Sequence, residues 1–247
     1  MSYTHLAAVY DMFAYDFDYD EWTSKYLKML LDLKPDVKSV CDCGCGTGSI
    51  AVRLAKLGYT VTGVDLSEDM LRIASDKAYS LRLKIPFIKQ DMRELRLTRP
   101  VDAVICACDG VNYLTSPDGV NRFFLSANKC LKPGGVLAFD ISSRAKLVSL
   151  AQKGFYGEEI ENAAYLWQNE TDPKSETLKM RITFFVRDAD GRYSRFEETH
   201  IQKMHTTAAI KSALNECGFT NISISGGDDD ISAGPGGSRV YFAAVKA

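Results

Sequence analysis

The sequence predicts an α/β protein, a doubly wound parallel sheet that carries a small antiparallel β insert. Three observations carry that expectation. Short β-rich runs alternate with amphipathic stretches from Lys38 to Ser142, the period changes to two between about Gln152 and His205, and the helix–strand rhythm then resumes.

Each element has its own signal. Trp22, Tyr26, Leu30 and Leu33 form a helical stripe, preceded by an aromatic and acidic segment, Tyr10 to Asp20, that reads as a cover. "KSVCDC" reads as a strand, "TGSIAVRLAKLG" as a helix closed by Gly58, and "YTVTGVD" as the next strand. Ser67 caps a helix with Met70, Ile73, Ala74 and Leu81 on one face. "IPFIKQ" and "VDAVICAC" follow as strands. Ser116-Pro117 opens a helix bearing Val120, Phe123, Phe124, Ala127 and Leu131, which "KPGG" stops before the buried strand "GGVLAFDIS".

Further on, Leu178, Met180, Ile182, Phe184 and Val186 alternate with mostly polar residues, "RDADGR" signals a hairpin turn, and "YSRFEETHIQKMH" returns. A helix with Ile210, Ala213, Leu214 and Cys217 is stopped by Gly218. "NISISG" and "RVYFAAVK" end the chain, with a mobile loop expected at "GDDDISAGPGG" between them. The expected organisation is one domain, residues 1–151 and 206–247, with the insert 152–205 as a lid or substrate-binding region.

Composition narrows the function. The 247 residues are 46% hydrophobic and 25% charged with a formal net charge of -2, so no basic surface advertises nucleic-acid binding. The N-terminus lacks a positive leader before an apolar run, and no stretch nears the roughly 18 apolar residues that span a bilayer, so a cytoplasmic location and no membrane partner are expected. Seven cysteines, an odd number, point to free thiols.

The segment "VCDCGCGTGS" is the most informative. A zinc site wants about four ligands in paired spacing, whereas Cys41, Cys43 and Cys45, even joined by Cys106 and Cys108 on a neighbouring strand, offer a C-x-C-x-C run without histidine. The expectation is no metal, with cysteine as a small buried hydrophobe. Gly44, Gly46 and Gly48 instead make a strand-turn-helix that lets a ligand approach the backbone. A dinucleotide site would space its glycines one residue further.

Taken together, "VCDCGCGTGSIA", "VTGVDLSEDML", "KQDMREL" and "LKPGGVLAFDI" resemble the ordered motifs of class I S-adenosylmethionine-dependent methyltransferases, over about Val40 to Ser142. "YDMFAYDFDYDEW" is similar to the opening of small bacterial members with a β insert. The resemblance implies a seven-stranded Rossmann-like sheet and S-adenosyl-L-methionine as cofactor. It implies Asp42, Gly44, Cys45, Gly46, Gly48 and Cys108 around the methionyl end and Asp65 at the ribose. Leu66, Met70, Gln90, Asp91 and Met92 fall at the adenine, and Tyr10 and Trp22 in the cover.

Methyl transfer is an in-line displacement, so positioning and exclusion of water dominate, and a base is needed only when the nucleophile arrives protonated. Tyr10, Tyr113 and His200 are the catalytic candidates, with Tyr15 and His205 as further possible bases. The asparagine-proline-proline-tyrosine signature of many amide and nucleobase methyltransferases is replaced by "DGVNYL", which favours a small-molecule N or O acceptor. The alternatives are methylation of RNA or protein, a non-catalytic cofactor-binding module and, disfavoured by the glycine spacing and "KQDM", a nicotinamide-dependent oxidoreductase.

Overall fold

The computed structural model describes residue 7 and residues 10–13, 17–160, 162–226 and 239–247. After a short α1 (Tyr10–Phe13) and α2 (Tyr19–Leu33), strands and helices alternate: β1 (Ser39–Cys43), α3 (Ser49–Lys56), β2 (Thr60–Asp65), α4 (Glu68–Ser80), β3 (Phe87–Lys89) and β4 (Val101–Cys106). Then come α5 (Pro117–Cys130), β5 (Leu131–Ser142), α6 (Arg144–Lys153), four strands β6 (Phe155–Ile160), β7 (Ala163–Asp172), β8 (Thr177–Arg187) and β9 (Tyr193–Lys203), and finally α7 (Thr207–Glu216), β10 (Phe219–Ser225) and β11 (Arg239–Lys246). The expected loop at 227–237 and the candidate Tyr15 lie outside the described residues.

Seven strands form one sheet in the order β10-β11-β5-β4-β1-β2-β3. It is mixed rather than wholly parallel, because β11 runs antiparallel to both β5 and β10. From β1 the chain winds outward through β2 and β3, then returns to place β4 on the other side of β1. That reversal opens a crevice at the carboxyl ends of β1 and β4, where doubly wound sheets take ligands. Apolar layers cover both faces: Cys41, Cys43, Val104 and Cys106 with Phe123, Phe124, Phe139 and Phe242 on one, and Val40, Ala103 and Ile105 with Tyr26, Leu30, Ile50 and Leu54 on the other.

Side-chain caps start the helices where the sequence places them. Ser67 Oγ accepts from Met70 N, Ser116 Oγ accepts from Gly119 N ahead of Pro117, and Asp18 Oδ1 accepts from Asp20 N and Glu21 N. Three details differ from the sequence reading. Leu81 ends α4 and is exposed, its expected place being filled by Leu71 and Ala78. "KPGG" lies inside β5, whose pairing with β4 shifts register there. Cys108 lies beyond β4 with a φ of +59°, so it shares no strand face with Cys106.

The insert is a second sheet, order β6-β7-β8-β9, antiparallel throughout. The sequence showed its last hairpin; β6 and β7 were hidden because neither alternates cleanly in polarity. Leu178, Met180, Ile182 and Phe184 form its inward face. Ile182 and Phe184 pack on Met70 of α4 and on Ala7, while Leu178 and Met180 pack on Leu147 of α6 and on Met204.

Candidate active site

The site starts from the turn between β1 and α3. Gly44 N and Cys45 N both donate to Val64 O, at 2.7 and 3.0 Å, which bends the chain sharply off the sheet. Gly46 N donates to Asp65 Oδ2 at 2.9 Å. Gly48 is the N-terminal cap of α3 at a φ of +74°, and a Cβ there would stand 2.8 Å from Ala74 Cβ. Only glycine meets both conditions.

Two carboxylates serve this turn differently. Asp65 Oδ1 accepts from Ser67 N at 2.8 Å while Oδ2 takes Gly46 N, so the residue expected at the ribose also stitches β2 to the glycine turn. Each oxygen keeps a further lone pair. Burial raises its pKa, against three backbone N–H groups. Asp42 is the sharper case. It is 2% exposed, and its Oδ2 has no hydrogen-bond partner among the described residues. Burial, and then the charge of Asp65, push its pKa up to about 7, opposed by the Ala51 backbone N–H. A buried carboxylate oxygen left unsatisfied is costly, and a cationic ligand relieves that cost.

Asp42 lines a cavity together with Tyr10, Tyr19, Gly44, Thr47, Ser49 and Cys108 among others. The roof is α1. Asp11 Oδ1 accepts from Thr47 Oγ1 at 2.7 Å, and Lys77 Nζ binds Asp11 Oδ2 at 2.9 Å and Ser49 Oγ at 2.8 Å. Tyr10 hydrogen-bonds Tyr19, and burial raises the pKa of both phenols. Charges of Cys108, Tyr19 and Tyr113 add to the shift of Tyr10, so Tyr113 stands close by.

The far wall rests on a residue the sequence reading passed over. Cys108 and Asp109 both have left-handed backbones, near +59° and +56° in φ. Their N–H groups donate to Asp140 of β5, at 2.8 and 3.1 Å. Fully buried Asp140 also accepts from Tyr26 Oη and pairs with Arg239, which pairs with Asp109 as well. Burial pushes the Asp140 carboxyl up to about 7. The Cys108 thiol is pushed up to about 12, by burial first and then by the charge of Asp140, and is therefore protonated.

The remaining candidates divide. Leu66 is 65% exposed beside the turn, a free apolar surface. Met70, expected at the adenine, is buried in the contact with the insert. Gln90 clamps both backbone groups of Arg96, which fixes its amide while leaving one N–H and one lone pair. Asp91 caps a short 3-10 helix (Met92–Glu94) and is held by Arg93. Met92 packs beneath Gly44. Trp22 does not line the cavity; it packs on Phe17, Tyr26 and Tyr241 under the Arg239 guanidinium. His205 Nε2 faces Val111 O at 3.3 Å, and burial lowers its pKa, so it anchors the wall.

Tyr113 and His200, distant in sequence, meet. Tyr113 Oη and His200 Nδ1 are 3.2 Å apart, and His200 Nε2 is 3.2 Å from Glu198 Oε2. Glu198 was missed, although its signal was available. A strand that turns Glu198, His200 and Gln202 inward while Ile201 is exposed reverses the usual polarity. Among the described residues no three His, Cys, Asp or Glu side chains could hold a metal ion together. No helix among them is long and apolar enough to cross a membrane.

A Rossmann-like sheet with a glycine turn at its switch point and an unpartnered buried carboxylate oxygen fits a cofactor with a cationic end. Residues 40–135 match the methyltransferase domain family. Along its whole length the chain is 37% identical to a Geobacillus sp. (strain WCH70) protein, all of which is covered and whose name gives a methyltransferase without an acceptor. It is 27% identical, with a TM-score of 0.85 and full coverage of both chains, to an S-adenosylmethionine-dependent methyltransferase from Clostridium acetobutylicum ATCC 824. A Streptomyces venezuelae dTDP-3-amino-3,4,6-trideoxy-alpha-D-glucopyranose N,N-dimethyltransferase is 25% identical over 228 residues, 90% of this chain and 92% of that one. The chain belongs to the class I S-adenosylmethionine-dependent methyltransferases, and S-adenosylmethionine is its cofactor.

Proposed function

We infer that the chain methylates a protic nitrogen or oxygen on a small molecule, inside the cavity between the glycine turn and α1. The observation that carries this is enclosure. Asp42 lines a pocket roofed by Tyr10 and Tyr19, and the insert packs against the same roof through Phe13, Phe184 and Tyr165. A covered site suits a small acceptor better than a polymer. The amino-sugar substrate named for the Streptomyces venezuelae relative supports the same class.

Bound S-adenosylmethionine supplies a methyl group on a sulfonium, a carbon already attached to a good leaving group. Asp42 Oδ2 receives the ammonium of the methionyl end beside the Gly44 and Gly46 backbone. Asp65 uses its remaining lone pairs for the ribose hydroxyls while keeping the turn in place. Leu66 covers the adenine, and Asp91, oriented by Arg93, accepts from its amino group next to Met92. Tyr10, held neutral by burial, closes the reacting end against water together with Tyr19. The insert, residues 152–205, forms the acceptor side.

Incubating purified protein with methyl-labelled cofactor, a cell metabolite extract and an RNA fraction tests the reading. Label is expected in the small-molecule fraction. Label confined to RNA or protein contradicts it.

A further inference from the structure

The inward polar row of β9 is not explained by packing. Glu198, His200 and Gln202 are 5%, 2% and 4% exposed on a strand at the edge of its sheet, while Ile201 is 45% exposed. Burying a carboxylate and an imidazole where apolar residues would fit costs stability, and such local violations concentrate at functional sites. The row faces the segment that follows the cavity-lining Cys108: Gln202 Nε2 donates to Asp109 Oδ2 at 3.2 Å, and His200 Nδ1 lies against Tyr113 Oη.

We propose that Glu198, His200 and Tyr113 form a proton-accepting chain that takes the proton of the methyl acceptor, with Tyr113 as its contact to the acceptor and Glu198 as its positioning residue. The proposal rests on the protic-acceptor reading above. The lone pair of the acceptor nitrogen or oxygen forms the new bond to the methyl carbon, and the electrons of the broken carbon–sulfur bond stay on sulfur. The acceptor's proton passes to Tyr113 Oη as the phenolic proton passes to His200 Nδ1. One positive charge thus moves from the sulfonium to the imidazole, where the Glu198 carboxylate stands 3.2 Å from Nε2. That arrangement needs His200 in the tautomer protonated at Nε2; the Glu198 carboxylate stands at ion-pair distance from that nitrogen without being aligned as a hydrogen-bond acceptor, so it acts by offsetting the imidazolium charge.

Two measurements test this. Nitrogen NMR of the chain's three histidines reads the tautomer with no acceptor present. His200 should show an unprotonated Nδ1, accepting from Tyr113 Oη, and a protonated Nε2. A fixed Nδ1–H form overturns the chain whatever the assay gives.

In the second, Tyr113→Phe, His200→Gln, Glu198→Gln and Glu198→Asp are assayed on the extract fraction that takes label. In the first two, kcat should fall about a hundredfold, with KM and S-adenosylhomocysteine affinity held within about twofold, in keeping with the loss of a general base. Glu198→Asp should recover part of what Glu198→Gln loses. Full kcat in folded Tyr113→Phe, which keeps the ring, overturns the proposal. If the tautomer is as expected but no small molecule accepts label, the acceptor reading falls instead.

Discussion

Asp42 carries the strongest consequence at the residue scale. With a folded pKa near 7, raised by burial, it keeps a proton between about pH 4 and pH 7 that the unfolded chain has already released. Ionising it therefore lowers the stability of the ligand-free fold as pH rises through that window. Asp42→Asn, neutral at every pH, should match the wild type near pH 4 and exceed it at pH 7.5 by up to about 4 kcal/mol. Urea unfolding at the two pH values checks this, and equal differences at both would show that Asp42 is not buried as a charge. Asp140 makes a second case. Asp140→Asn leaves four donors sharing a weaker acceptor, so the Cys108–Asp109 wall should loosen and S-adenosylhomocysteine affinity drop by about 1 to 3 kcal/mol. Unchanged calorimetric affinity would detach the wall from the cofactor.

At the scale of elements, the glycine turn and the α1 roof make separate predictions. Gly48→Ala puts a Cβ within 2.8 Å of Ala74 at a left-handed cap. It should cost about 2 kcal/mol or more, because the αL penalty and the overlap add. A melting temperature equal to the wild type's would mean that α3 starts elsewhere. The roof is held by the half-exposed Asp11–Lys77 pair and by Thr47, contacts weak enough to open. Hydrogen exchange from Tyr10 to Asp20 should slow when S-adenosylhomocysteine binds and quicken in Asp11→Ala; exchange that ignores the ligand would separate α1 from the site.

What the sequence disclosed follows the same scales. Strand-turn-helix units in the first half are legible because their apolar periodicity and caps are local, as with Ser67 and Ser116. The glycine turn is legible because positive φ leaves a residue-type mark. Asp140 and the Tyr113–His200 contact are not, since they join residues 32 and 87 positions apart in pairs that only the folded sheet defines. Glu198 sits between: its inward alternation is visible once the face of β9 is known, and that face is set by the packing of Ile182 and Phe184 on α4.

Across the whole molecule, the insert packs on the sheet that carries the glycine turn, and the proposed reading gives it the acceptor side. Their junction is Met70 against Ile182 and Phe184, 4% and 2% exposed. Ile182→Ala should cost about 2 to 5 kcal/mol in denaturant unfolding and alter acceptor use more than cofactor affinity. Loss of cofactor binding with acceptor preference intact would reverse that division.

The central claim is that Asp42 Oδ2 meets the cationic end of the cofactor. Calorimetric titration of S-adenosylhomocysteine from pH 5.5 to 8, in the wild type and in Asp42→Asn, tests it most directly. Because the cation favours the ionised carboxylate, wild-type affinity should rise by up to about tenfold per pH unit as pH approaches 7 and then level off, with protons released on binding below that point. Asp42→Asn should bind more weakly at neutral pH and lose the slope. A folded Asp42→Asn that binds as tightly as the wild type, with the same dependence on pH, would contradict the account.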